Sequence, residues 1–164
     1  MKSPKGYSRL QISLHWIMLL LIVAQFVLHD PIAEAWGQFL KGVETPFNPL
    51  IAQHVFGGGL IAILAIWRLV LRAKRGVPAL PAEESAIQKS AAHATHFGLY
   101  ALMILMPISG SAAWFGGILN AANVHFYLKF AVLGLVALHV LAVLYHQYVL
   151  KNNLLRRMMA ADKD

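Results

Sequence analysis

The chain has 164 residues, a mean hydropathy of +0.60, a formal net charge of +7 and no cysteine. A composition this apolar excludes an ordinary water-soluble domain. The missing cysteine excludes disulfides, cysteine-ligated iron–sulfur clusters and thioether-attached haem. The charge lies at the ends of apolar stretches, and no basic, aromatic-interleaved segment suits nucleic acid.

Four windows, 12–28, 49–71, 91–114 and 124–149, are long enough to span a bilayer. In lipid each must be helical, because backbone groups find no water to bond. The prediction is a single all-α domain over 1–164, a transmembrane four-helix bundle with spans at about 10–29, 49–72, 91–114 and 124–149. The leading "MKSPKGYSRLQISLHW" runs straight into the first span without a small-residue cleavage site, so no secretory signal is expected.

The first connection is "HDPIAEAWGQFLKGVETPFNP". Pro31 is expected to end the first helix and "TPFNP" to introduce the second. Between them a short interfacial helix would place Trp36 and Phe39 at headgroup depth. "RAKRGVPALPAEES" is a basic, then proline-punctuated connection, and "FGGILNAAN" a short turn between the third and fourth helices. The tail "KNNLLRRMMAADKD" reads as an amphipathic surface helix or a frayed end.

Twelve of the fourteen Lys and Arg residues fall on one side of such a bundle: Lys2, Lys5, Arg9, Arg68, Arg72, Lys74, Arg75, Lys89, Lys151, Arg156, Arg157 and Lys163. Lys41 and Lys129 fall on the other half. The positive-inside rule then puts both termini and the middle connection in the cytoplasm.

Eight histidines need an account, since ionisable groups within spans are costly and usually functional. By depth, His54 and His125 form an outer pair, and His15 and His139 an inner pair. Each pair draws on two helices. His125 and His139 are fourteen residues apart, so they rise roughly 21 Å and project from one face. Two haems, each held between helices by two axial imidazoles, suit this pattern. The plainer reading is of interfacial or hydrogen-bonded core histidines. Zinc fits less well, because structural zinc favours cysteine-rich, tightly spaced clusters. Gly57, Gly58 and Gly59 follow His54, and Gly134 lies between His125 and His139, so a flat macrocycle could lie close to either backbone. Gly58 and Gly134 are therefore cofactor-site candidates, although glycine also serves helix–helix contacts.

Alternatives remain at both ends. His15 and His29 are also fourteen apart, so His29 is an alternative to His54; it precedes "DP" at a helix end, where its ring is expected to be hydrated. His93, His96 and His146 lie at the inner end, and one of them could replace His15 or His139 as ligand. The favoured reading places some of these three with Arg9, Ser13 and Arg68 in a polar pocket that binds a quinone and passes it cytoplasmic protons. Interfacial histidines bonded to headgroups are the simpler alternative.

The stretches "YSRLQISLHW", "QHVFGGGLIAILAIWRLVLR", "AHATHFGLY", the His125–His139 pair and "NNLLRRMM" together resemble the bacterial cytochrome b561 family. The likeness covers essentially the whole chain and lies in order and spacing. It implies two non-covalent haem b groups with bis-histidine ligation, His15 paired with His139 and His54 with His125. It also implies an inner-membrane, superoxide oxidase-like activity, in which superoxide outside gives electrons that reduce ubiquinone near the inner face. His96 and His146 match family positions near that quinone.

The connection between the third and fourth helices is shorter than in the archetype, and the outer Asp30, Glu34 and Glu44 outnumber Lys41 and Lys129. Lys129, one turn inward of His125, is the best single candidate to attract superoxide; snorkelling is the other use for such a lysine. Two further functions are kept in view. One is a cytochrome b subunit passing electrons from a periplasmic dehydrogenase or hydrogenase partner to quinone. The other is a membrane module without redox chemistry.

Overall fold

The computed structural model describes residues 4–81, 84–152 and 154–161. Lys2 and Lys163, two of the twelve basic residues assigned to one side, lie outside the described residues. Helices α1 (Arg9–Val27), α3 (Pro49–Arg75), α4 (Ala86–Gly116) and α5 (Leu119–Tyr148) are each long and apolar enough to cross a membrane. A shorter α2 (Asp30–Phe39) lies between the first two, and one 3-10 turn (Leu155–Met158) follows α5. No strand occurs among the described residues.

The ends are set by local chemistry. Ser8 caps α1: its hydroxyl accepts from Gln11 N–H at 3.2 Å, and Gln11 Oε1 accepts from Ser8 N–H at 3.0 Å. The buried Gln11 amide also donates to the Gly76 carbonyl at 3.1 Å, joining the start of α1 to the end of α3. Asn48 caps α3 ahead of Pro49, and Arg72, Lys74 and Arg75 complement the helix dipole at its far end. Ser85 and Gln88 form the same reciprocal cap on α4.

Three expectations shift. Pro31 does not end α1, which stops at Val27; it occupies the first turn of α2, where a missing N–H has no helical partner to lose. Helix α4 begins before the predicted 91, because the Ser85 cap carries a polar first turn. The turn between α4 and α5 shrinks to Gly117 and Ile118, with Gly117 in the left-handed region at φ +64°. In the tail, the helical part is a single turn. It folds back: Trp16 Nε1–H donates to the Met158 carbonyl at 2.8 Å and Arg157 to the Ala79 carbonyl at 2.8 Å.

The core is narrow. Leu14 and Met18 of α1 pack on Ile61, Leu64 and Ala65 of α3, with Tyr100, Met103 and Ile104 of α4 against them. Leu20, Phe56, Ile63, Phe97, Phe115 and Tyr127 point outward from the long helices, as lipid-facing side chains do. The closely packed neighbours are α1 with α3, α3 with α4, and α4 with α5. Neither α1 with α5 nor α3 with α5 is among them.

Candidate functional site

Both histidine pairs bridge helices that do not pack closely. His54 of α3 and His125 of α5 have ring centres 6.4 Å apart at the end of the bundle that carries α2. His15 of α1 and His139 of α5 are 6.2 Å apart at the end that carries the termini. Two imidazole nitrogens, each about 2 Å from one metal ion and opposite one another, put the ring centres about 6.3 Å apart. Both gaps therefore fit one bis-histidine iron. The described residues contain no cluster of three or more metal-type side chains.

At the α2 end, α4 orients His125. Its Nδ1–H donates to the Met106 carbonyl at 2.9 Å, and the Ser109 hydroxyl, 3.2 Å from Nδ1, donates to the same carbonyl at 2.9 Å. A carbonyl can only accept, so the proton is fixed on Nδ1 and Nε2 keeps its lone pair. Gly110 admits the ring: a Cβ there would stand 2.9 Å from His125 Cε1. Pro107 sits between these contacts, and its missing N–H loosens the helix where α4 meets the imidazole.

The Gln25 amide, assigned from its hydrogen-bonding neighbours, donates to His54 Nδ1 at 2.9 Å and to the His54 carbonyl at 3.2 Å, and accepts from Gly58 N–H at 3.2 Å. A cavity of about 380 Å³ opens beside the pair, lined by Phe26, Trp36, Gly58, Met106, Trp114 and Lys129 among others. Nothing stands within 4 Å of a Cβ placed on Gly58, so its backbone faces free space there. A flat ring has both its axial donors and its room. Lys129 also reaches the faces of Phe126 and Phe130, at 4.8 and 5.2 Å from their centres.

His29 lies at the α1–α2 junction with its ring 5.8 Å from His54, and lines the same cavity. The structure sets His54, not His29, opposite His125. Burial holds the His29 pKa below the usual histidine range, with Lys129 adding to the effect and Asp30 opposing it.

At the terminal end His139 has a second neighbour. His96 lies 5.3 Å away, shorter than a bridging iron requires, and its Nδ1–H donates to the Ala92 carbonyl at 2.7 Å. His15 has the matching gap, and the nitrogen it turns to Arg68 Nη1, 3.3 Å away, acts as acceptor. Its proton therefore sits on Nε2, so holding a metal at that nitrogen would call for the other tautomer. Arg68 also touches Met18 Sδ at 3.7 Å and lies 5.8 Å from the Tyr100 ring centre.

Gly134, on α5 between the two pairs, has nothing within 4 Å of a built Cβ. Arg9 and Ser13 are exposed, on the face of α1 turned away from His15, and the structure does not bring them to Arg68. His93 is exposed as well. His146 stands apart from the pairs, in contact with Glu84 and Asn152.

Sequence reasoning passed over Gln25, Met106, Ser109, Gly110 and Tyr7. Burial raises the Tyr7 pKa above the usual phenol value, although Arg72 opposes the shift, so its hydroxyl stays a donor among cations. A short polar run inside a span, "PISGS", was the one available signal for the α4 contacts.

Comparison with known proteins places these features in a family context. A family model described as prokaryotic cytochrome b561 matches residues 6–161. Cytochrome b562 of Cereibacter sphaeroides is 34% identical, over 97% of this chain and 98% of its own length. A probable superoxide oxidase CybB of Yersinia pestis is 31% identical, over 94% and 96%. Cytochrome b561 homolog 1 of Escherichia coli is 29% identical, over 96% and 98%.

Proposed function

Because the chain belongs to the prokaryotic cytochrome b561 family, a family of membrane electron carriers with haem b, we propose that it is a di-haem superoxide:ubiquinone oxidoreductase of the bacterial inner membrane. His54 with His125, and His15 with His139, would hold the two haems in this reading. Gly58 and Gly134 leave room for the rings. The observation that carries it is the pair of near-equal imidazole gaps, 6.4 and 6.2 Å, on helices that do not pack closely. The basic residues around the terminal end support a cytoplasmic location for both termini.

Haem held at these histidines would supply one-electron redox chemistry. The chain's residues do the rest. Lys129 at the cavity wall gives the periplasmic opening a positive charge that attracts superoxide. The α4 carbonyl at Met106 holds His125 in its tautomer, and the uninterrupted α5 fixes the spacing between the two sites. Arg68 and His96 flank the inner pair and form the wall against which ubiquinone binds. Two superoxide ions leave as O2, and one ubiquinone takes up two electrons and two protons.

A superoxide pulse given to the oxidised holoprotein with a ubiquinone analogue tests this. Rapid haem reduction with sustained quinol formation is expected. Haems that reduce with dithionite but ignore superoxide would refute the enzyme reading and leave an electron carrier fed by a partner dehydrogenase or hydrogenase.

A further inference from the structure

At the end of the bundle that carries the termini, a second cavity of about 710 Å³ opens between three segments. Lys5 lines it from the residues ahead of α1, Glu84 from the α3–α4 connection, and Lys151, Asn152 and Arg157 from the tail. The Glu84 side chain is 3% exposed, yet its Oε1 has no hydrogen bond among the described residues. His146 does not supply one: its Nδ1 is 3.6 Å from Oε1 and 2.7 Å from Asn152 Nδ2. An amide nitrogen only donates, so Nδ1 accepts and carries no proton to offer. The other end of that amide, Asn152 Oδ1, is buried without a partner too.

Burying an acceptor without a donor is unfavourable, most of all for a carboxylate. The two oxygens cannot serve one another, since both only accept. A primary ammonium, with one positive charge and several N–H donors, supplies what they lack. The cavity offers the opposite sign as well. Arg157 is fixed at its wall, where Nη1 donates to the Ala79 carbonyl at 2.8 Å, and a guanidinium has further N–H donors. Lys151 stands in the left-handed region, at φ 53°, where α5 gives way to the tail. With Lys5 these cations suit a phosphate. The lining also includes Leu150, at the end of the membrane-spanning α5, beside the exposed Tyr148 and Val149. A ligand in the cavity therefore has apolar helix surface next to it for acyl chains to follow.

We propose that this cavity binds the phosphoethanolamine headgroup of a membrane phospholipid. The ammonium donates to Glu84 Oε1 and Asn152 Oδ1, and the phosphate accepts from Lys5, Lys151 and Arg157. One lipid thereby ties the N-terminal segment, the α3–α4 connection and the tail together, independently of the electron path.

Delipidated holoprotein in detergent is titrated with phosphatidylethanolamine, its N-methyl and N,N-dimethyl derivatives, and phosphatidylcholine with the same acyl chains. Native mass spectrometry counts the bound lipid. One phosphatidylethanolamine per chain is expected, held at least about tenfold more tightly than phosphatidylcholine, which keeps the phosphate and the positive charge but has no N–H to donate. The methylated lipids fall between. Glu84→Gln should erase the preference and leave phosphatidylcholine binding unchanged. Lys151→Asn, which suits the left-handed backbone, should weaken all four lipids alike. Circular dichroism confirms that both variants keep their helices. Equal binding of phosphatidylethanolamine and phosphatidylcholine by the wild-type protein, or an undiminished preference in Glu84→Gln, would overturn the proposal. Phosphatidylglycerol held as tightly as phosphatidylethanolamine would reduce the site to one for phosphate alone and overturn the ammonium contacts. Displacement of the lipid by equimolar, water-soluble O-phosphoethanolamine would overturn the membrane source.

Discussion

Gly110→Ala isolates the way α4 orients an axial imidazole. A Cβ at that position stands 2.9 Å from His125 Cε1 and 3.0 Å from Nδ1. Ordinary van der Waals contact begins at 3.4 Å, so the ring must move by about 0.5 Å. A move of that size stretches the 2.9 Å bond from Nδ1 to the Met106 carbonyl beyond normal hydrogen-bond range and alters the 6.4 Å gap to His54. Losing a hydrogen bond that orients a metal ligand costs about 10–100-fold in affinity, which is about 1.4–2.7 kcal/mol. Helix propensity acts the other way, since Ala is favoured over Gly by about 1 kcal/mol within a helix. The apoprotein should therefore be no less stable, while one of two haem equivalents binds 10–100-fold more weakly. Haem titration of the detergent-solubilised apoprotein, followed by absorbance and paired with thermal melting, reads both effects. Gly59→Ala, where nothing lies within 4 Å, is the silent control. Two equivalents bound by Gly110→Ala at wild-type affinity would refute the reasoning.

The other perturbations address the remaining contacts. His15→Ala should lower haem content to one per chain and His96→Ala should leave two, because only the 6.2 Å gap accommodates an iron; pyridine haemochrome assays decide it. Gln25→Leu removes the side-chain partner of His54 Nδ1, so a redox titration should show one of two midpoint potentials shifting and the other unmoved. Lys129→Gln should slow haem reduction by superoxide several-fold at low salt and flatten its dependence on ionic strength, with dithionite reduction unchanged.

The apolar windows made the four long helices legible, because a bilayer leaves the backbone no other choice. Their ends were less so. Pro31 reads equally well as a stop or a start, and only the geometry at Val27 and Asp30 decides. The start of α4 was hidden because "AIQKS" is as polar as a linker, and its cap is a two-residue agreement between Ser85 and Gln88. At the site, the fourteen-residue interval on α5 pointed to both imidazoles. Their orienting contacts left almost no trace, since the Met106 carbonyl carries no sequence signature and Gly110 resembles any packing glycine. The burial of Glu84 carries no sequence signal, because it depends on a tail some seventy residues away.

The packing order of the helices has a consequence for biogenesis. Helices α1, α3, α4 and α5 form a strip, each seated on the next, and α5 does not pack closely on α1 or α3. Val132 is the buried side chain of α5, so that helix hangs on the bundle mainly by its seam with α4. Whatever ties α5 to α1 and α3 at the histidines acts as a hasp. Newly inserted chains should therefore pass through an unlatched stage in the bilayer, open enough to admit a large planar molecule from the side. The membrane protease machinery would meet that stage with α5 as the loose edge, and latching would mark the chain as finished.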